Sequence, residues 1–308
     1  SWSNGNTNTS QTVWPTSETT YTVTVTDSYG CTDSDEITVT IFIFPSCGNS
    51  FTDSRDSARY NTVQIGCQCW MQDNLAYLPA VSPSNVGSNY NPHYYVFGYQ
   101  GTNVGDAKAF GTYPTYGVLY NWPAAMAGES SSNNIPSGVR GICPYGWHLP
   151  SELEWERLII DYLGGGGVAG GKMKETGLSH WLYPNEGATN SSGFTALPGG
   201  MRWTNNNFEF MGYYGVFWSS TEYSSDTTAW YSIVYHEFAA ANMGPHLNFY
   251  GSSVRCIADD GTCFPQPDTA NAGADTLVYA DTIVLYGNVP YDGSGVWNVV
   301  SGQGGSFS

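Results

Sequence analysis

Cys143-Pro144-Tyr145-Gly146-Trp147-His148-Leu149-Pro150-Ser151-Glu152-Leu153-Glu154-Trp155-Glu156 sets a cysteine, a tight turn and a helix start in one short run. Ser151 and Glu154 have the S-x-x-E spacing of a capping box, in which a serine oxygen and a glutamate carboxylate each satisfy an orphan backbone N–H. Trp155, Leu158, Ile159, Tyr162 and Leu163 follow at helical spacing, and Gly164 to Gly167 are expected to stop the helix. This predicts one main helix over 151–163 in a chain otherwise rich in Gly, Tyr, Thr and Ser.

Composition bounds the partners. Charged residues make up 11% of the 308 and aromatics 15%, so the core is built from rings and the surface from Ser, Thr, Asn and Gly. A net charge of −17 opposes binding to nucleic acid and to anionic membranes, because nothing could neutralise a run of phosphates. No apolar run approaches the ~18 residues of a membrane-spanning helix. The most strongly apolar, Ile41-Phe42-Ile43-Phe44, ends at Pro45. Few lysines among many uncharged polar residues suit an extracellular protein.

The seven cysteines, at 31, 47, 67, 69, 143, 256 and 263, lack zinc-site spacing and histidine partners, so disulfides in an oxidising compartment are expected. Cys143 precedes the helix and Cys256 falls in a late strand, Ser253-Val254-Arg255-Cys256-Ile257, so these two are paired. That link would stabilise the fold by roughly 3–5 kcal/mol in the chain-entropy model. Cys47 with Cys69 and Cys67 with Cys263 is one arrangement of four others, which spacing does not fix, and Cys31 is left over.

Residues 1–44 alternate as strands: Thr20-Tyr21-Thr22-Val23-Thr24-Val25-Thr26, the turn Asp27-Ser28-Tyr29-Gly30-Cys31, then Glu36-Ile37-Thr38-Val39-Thr40-Ile41. With Trp2-Ser3-Asn4-Gly5 upstream, the segment resembles the latter half of a PKD-like or immunoglobulin-like repeat of bacterial surface proteins. Residues 266–308 resemble the opposite half of another, through Asn271-Ala272-Gly273-Ala274-Asp275, Thr282-Ile283-Val284-Leu285-Tyr286 and Gly293-Ser294-Gly295-Val296-Trp297. Trp2 and Trp297 would fill the same core position, so the expectation is an excerpt of a longer multidomain chain.

Between them, residues 47–260 carry Asp53-Ser54-Arg55-Asp56, Tyr60-Asn61-Thr62-Val63-Gln64-Ile65-Gly66, Cys69-Trp70-Met71-Gln72-Asp73-Asn74-Leu75 and Gly117-Val118-Leu119-Tyr120-Asn121-Trp122. The capped helix, Gly193-Phe194-Thr195-Ala196-Leu197-Pro198-Gly199-Gly200-Met201-Arg202 and Phe217-Trp218-Ser219-Ser220-Thr221 follow. This order resembles the Fibrobacter succinogenes major paralogous domain family. The resemblance implies a distant likeness to C-type lectin-like and formylglycine-generating folds. The expected fold is thus an α+β lectin-like domain with small irregular antiparallel sheets, flanked by all-β immunoglobulin-like segments. It also implies a secreted or surface-attached protein, with type IX export.

The chemistry in the residues is sparse. No G-x-S-x-G elbow, H-E-x-x-H or P-loop is present. Histidines 93, 148, 180, 236 and 246 are scattered, and His148 reads as a buried, hydrogen-bonded structural residue. Glu152 and Glu156 read as a solvated flank near the positive end of the helix. A lectin-like calcium site would draw on Glu222 and Asp226, or on Asn185, Glu186 and Asn190, though the E-P-N and W-N-D signatures are absent. Sugar recognition would use Trp203, Tyr213, Tyr214 or the Tyr90–Tyr99 region. An oxidase like the formylglycine-generating enzymes would need a cysteine pair, for which Cys67 and Cys69 are too close together.

Eight of 15 aspartates precede Ser or Thr, and five continue with a small or apolar residue or a second threonine. These resemble the three-residue O-glycosylation signal of Bacteroidota, which makes Ser57, Thr227, Thr269, Thr276 and Thr282 acceptors. Asp-Ser and Asp-Thr are also ordinary turn dipeptides. The resulting expectation is a non-enzymatic segment of a cell-surface adhesin or extracellular filament protein. No cofactor is needed, although calcium is allowed. Its partners would be other copies of the chain, surface proteins or glycans. A carbohydrate-binding lectin module and a metal-assisted enzyme of formylglycine-generating-like fold are the alternatives.

Overall fold

The computed structural model describes residues 1, 3–5, 7, 8, 19–39, 47–225 and 227–259. The segment 266–308, with Trp297, and also Trp2, lie outside the described residues. The chain divides into two units, Ser1–Pro45 and Ser46–Ser308. Among the described residues no helix is long and apolar enough to cross a membrane.

The first unit contains an antiparallel hairpin of Thr19–Thr26 and Thr32–Val39, in register from Thr19 opposite Val39 to Thr26 opposite Thr32. The two-residue period sets Tyr21, Val23, Val25 and Ile37 on one face and Thr20, Thr22, Thr24, Thr26, Thr32 and Thr38 on the other. There Thr20 and Thr38 hydroxyls meet at 2.8 Å, and Thr22 donates to Glu36. Asp27 closes the turn by accepting from the N–H groups of Tyr29 and Cys31, both at 2.8 Å.

The second unit is α+β and consists mostly of small antiparallel sheets. Its largest ladder is a meander of Tyr214–Ser225, Thr228–Tyr235 and Ala241–Leu247. A four-stranded sheet runs Thr62–Ile65, Gln68–Met71, Ile257–Ala258, Trp147–His148. Its late strand thus inserts between two earlier ones. Cys256 lies just before that strand rather than in it, and its carbonyl accepts from Met71 N–H. Two short helices, Val104–Lys108 and Tyr113–Tyr116, lie between the strands of this unit.

The capping box forms: Glu154 N–H donates to Ser151 Oγ at 3.2 Å and Ser151 N–H to Glu154 Oε2 at 2.9 Å. The helix differs from expectation further along. One α-helical stretch, Glu152–Glu156, passes into a π-helix, Arg157–Tyr162, and the N–H of Leu163 reaches back to Leu158. This wider register keeps Trp155, Leu158, Ile159 and Leu163 all buried. Only Gly164 and Gly165 break the chain, both with positive φ. Gly166 and Gly167 open a further helix, Gly166–Met173. It needs glycine because a Cβ at Gly170 or Gly171 would overlap the carbonyls of Ala240 or Gly187.

Trp155 packs in a ring cluster with Trp70, Phe194 and Phe217, at centroid separations of 4.6, 5.9 and 5.7 Å. Disulfides join Cys143 to Cys256 and Cys47 to Cys69. Three buried cations bind carbonyl and amide oxygens rather than carboxylates. Lys174 Nζ donates to the carbonyls of Glu186, Tyr235 and Phe238. Arg202 holds the carbonyls of Ser84 and Phe249 and the amide of Asn206. Arg255 holds Asn74, Phe194 and Thr195, with its guanidinium 4.3 Å above the Phe194 ring. A buried charge left without such partners would cost several kcal/mol, so each cation pins the loops that supply its oxygens.

Candidate functional site

Two open clefts meet at Glu222. The larger, about 660 Å³, is walled by Asn89, Tyr90, Tyr94, Trp122, Glu129 and Asn248. The smaller, about 560 Å³, is lined by Ser131, Asn133, Thr221, Tyr223 and Trp230.

Asn121 builds the larger cleft from beneath. Fully buried, it uses the whole bonding capacity of a primary amide. Its Oδ1 accepts from His93 N–H at 2.7 Å and, as a helix cap, from Ala124 N–H at 3.2 Å. Its Nδ2 donates to the carbonyls of Ser88 and Asn91, both at 2.8 Å. The loop carrying Tyr90 is thereby fastened to the start of the helix Trp122–Met126. Trp122 donates its indole N–H to Ser219 O at 2.9 Å, which fixes the ring plane. Tyr94 meets Tyr120 edge-on at 5.9 Å. Tyr90 is left 71% exposed, a free ring at the rim.

The polar groups are acids and amides. Glu129 Oε1 accepts from Gly141 N–H at 3.2 Å. The Glu222 backbone N–H is held by Ser131 Oγ at 2.8 Å, while its carboxylate accepts no hydrogen bond from a described residue. None of the nine Lys and Arg side chains lines either cleft.

Of the residues expected to contact ligand, Tyr213 and Tyr214 come together in a third cleft of about 450 Å³ with Glu209, Phe210, His236 and Glu237. Trp203 does not join them as a platform. It packs against Phe210, His246 and Tyr250, with centroids 4.7–5.7 Å away. Asp226 lies outside the described residues. Asn185 and Asn190 are loop fasteners: Asn185 donates to the carbonyls of Glu175 and Gly177, and Asn190 bonds Thr195 twice. Glu186 gives its carbonyl to Lys174. Among the described residues no three His, Cys, Asp or Glu side chains converge as a metal cluster.

Cys67 Sγ lies 2.8 Å from Tyr162 Oη, and Cys69 is joined to Cys47, so Cys67 and Cys69 form no dithiol. Cys263 lies outside the described residues. Cys31 is exposed. Ser57 is exposed in a turn at φ 63° and Thr227 is half-buried. Thr269, Thr276 and Thr282 lie outside the described residues. His148 is buried between two carboxylates, with Nε2 2.9 Å from Glu154 Oε1 and Nδ1 2.5 Å from Asp259 Oδ1. Burial alone would lower its pKa, but the hydrogen bonds to Asp259 and Glu154 outweigh it and hold the imidazolium up to about 9. His246 goes the other way. Burial pushes it down to about 3, and the neutral ring stacks on Tyr231 at 3.6 Å.

The family model of the Fibrobacter succinogenes major domain matches residues 63–258. The chain belongs to that family. No curated protein and no solved structure matches it. The major domain, so bounded, contains every residue of the three clefts, both cysteines of the 143–256 disulfide and all three carbonyl-bound cations. Asn121, which fastens the walls of the larger cleft, is the residue of the candidate site that the sequence did not single out. Its signal was Asn121-Trp122-Pro123, an N-cap residue closely followed by proline, which marks a helix start.

Proposed function

We propose that this chain is a non-enzymatic recognition segment of a large secreted surface protein, an adhesin or filament component. In this reading a lectin-like major domain is displayed on immunoglobulin-like spacers, of which the Thr19–Val39 hairpin is a part. The observation that carries it is the way Asn121 and Trp122 hold an exposed tyrosine over an open, acid- and amide-lined cleft. A rigid frame with preformed loop surfaces suits contact with a partner, because little ordering entropy remains to be lost on binding. Two disulfides and a sparsely charged composition support an oxidising, extracellular setting.

Beads coated with the chain test this reading. They should attach to surfaces bearing the same chain, to bacterial cells or to immobilised polysaccharide better than albumin-coated beads do. Attachment to none of the three surfaces above the albumin level would refute it.

A further inference from the structure

We infer that the cleft between Tyr90, Trp122 and Glu222 is a metal-independent binding site for a neutral oligosaccharide. The inference rests on the reading of the domain as a recognition module, and adds the chemical class of its ligand.

Three features of the lining point to a sugar. First, aromatic faces stand at the rim: Tyr90 is largely exposed, and the half-buried Trp122 is locked in plane by its bond to Ser219. The C–H face of a pyranose carries slight positive charge and rests on the negative face of such rings. Second, the polar groups beside the rings are two carboxylates, Glu129 and Glu222, and the amide of Asn89, whose Oδ1 is positioned by the N–H of Phe249 at 3.1 Å. Carboxylates and amides accept from adjacent hydroxyl groups, and hydrogen bonds to a charged acceptor are the stronger kind. Third, the cleft contains no cation, so an acidic sugar would meet two like charges with nothing to neutralise it. At about 660 Å³ the space falls within the range of small-ligand pockets. Glu222 also borders the cleft lined by Tyr223 and Trp230, which sets further aromatic rings beside the first.

Asn121 is the positioning residue. It touches no ligand, but its four bonds set the distance between the Tyr90 loop and the Trp122 helix.

Titration calorimetry of the whole chain should be run with cello-, manno-, xylo- and chitohexaose, with hexagalacturonate, and with a hexa-arginine peptide, each with and without EDTA. At least one neutral hexasaccharide should bind equally in both buffers, and hexagalacturonate should not bind. Tyr90→Ala should weaken that binding at least about fivefold, the worth of one ring contact. Glu222→Gln should weaken it about tenfold. Tyr145→Ser, an exposed tyrosine outside the clefts, should leave it unchanged, and thermal melts will report whether each variant folds. Binding lost in EDTA, binding indifferent to Tyr90 and Glu222, or binding of hexa-arginine or hexagalacturonate in place of the neutral sugars would each overturn the inference. If no sugar binds but chain-coated beads still attach to cells or to one another, this inference fails and the recognition reading stands. If attachment fails as well, both fail.

Discussion

Glu154 serves three partners at once: Oε2 accepts from the backbone N–H of Ser151 at 2.9 Å and of Ser137 at 3.3 Å, and Oε1 lies 2.9 Å from Nε2 of His148. The helix start and the Trp147–His148 strand are therefore tied through one carboxylate. Asp259, on the other ring nitrogen, ties in the end of the Ile257–Ala258 strand.

This linkage predicts a pH dependence. The His148 pKa is about 9 in the folded chain, against an ordinary value of 6.5. The charged ring therefore contributes stability that is fully present below about pH 6.5 and lost as pH rises through about 9. The contribution is roughly 3 kcal/mol. Urea unfolding of His148→Gln should show a flatter stability profile across that window than the unaltered chain.

Lys174 should resist replacement by an isosteric apolar residue. Lys174→Met leaves the part-buried carbonyls of Glu186, Tyr235 and Phe238 without their donor. At about 1–3 kcal/mol for each unpaired group, the loss is at least about 3 kcal/mol. Chemical denaturation measures it.

Asn121 should be equally intolerant. Asn121→Asp keeps the two acceptor bonds but aims a carboxylate at the carbonyls of Ser88 and Asn91. We expect a loss of about 2–4 kcal/mol and new protease cleavage within residues 88–93. Limited proteolysis followed by mass spectrometry locates the cut.

The two disulfides should differ in worth. Cys143–Cys256 closes a sequence separation of 113 and Cys47–Cys69 one of 22. The chain-entropy model gives about 5 and about 3 kcal/mol. Paired serine variants compared by guanidinium unfolding should rank in that order.

What could be read from the sequence was local. The capping box, the Thr-Val hairpin and its Asp27 turn each lie within a few residues, and their geometry follows from residue type and spacing. The π-helical register could not be read, because the packing around it, such as Trp155 against Trp70 and Phe194, joins residues distant in sequence. The clefts were hidden for the same reason. Tyr90, Trp122, Glu222 and Asn248 share no motif, and only the folded chain brings them to one wall. Whether Trp203 packs on His246 and Tyr250 or faces solvent could not be read either, because composition alone does not distinguish the two.

The cations at 174, 202 and 255 grip mostly main-chain oxygen, which every amino acid supplies. A loop residue that lends only its carbonyl can change its side chain without loosening the anchor beneath it. A skeleton anchored in this way can therefore carry many different outer faces, each reshaped by point substitution alone.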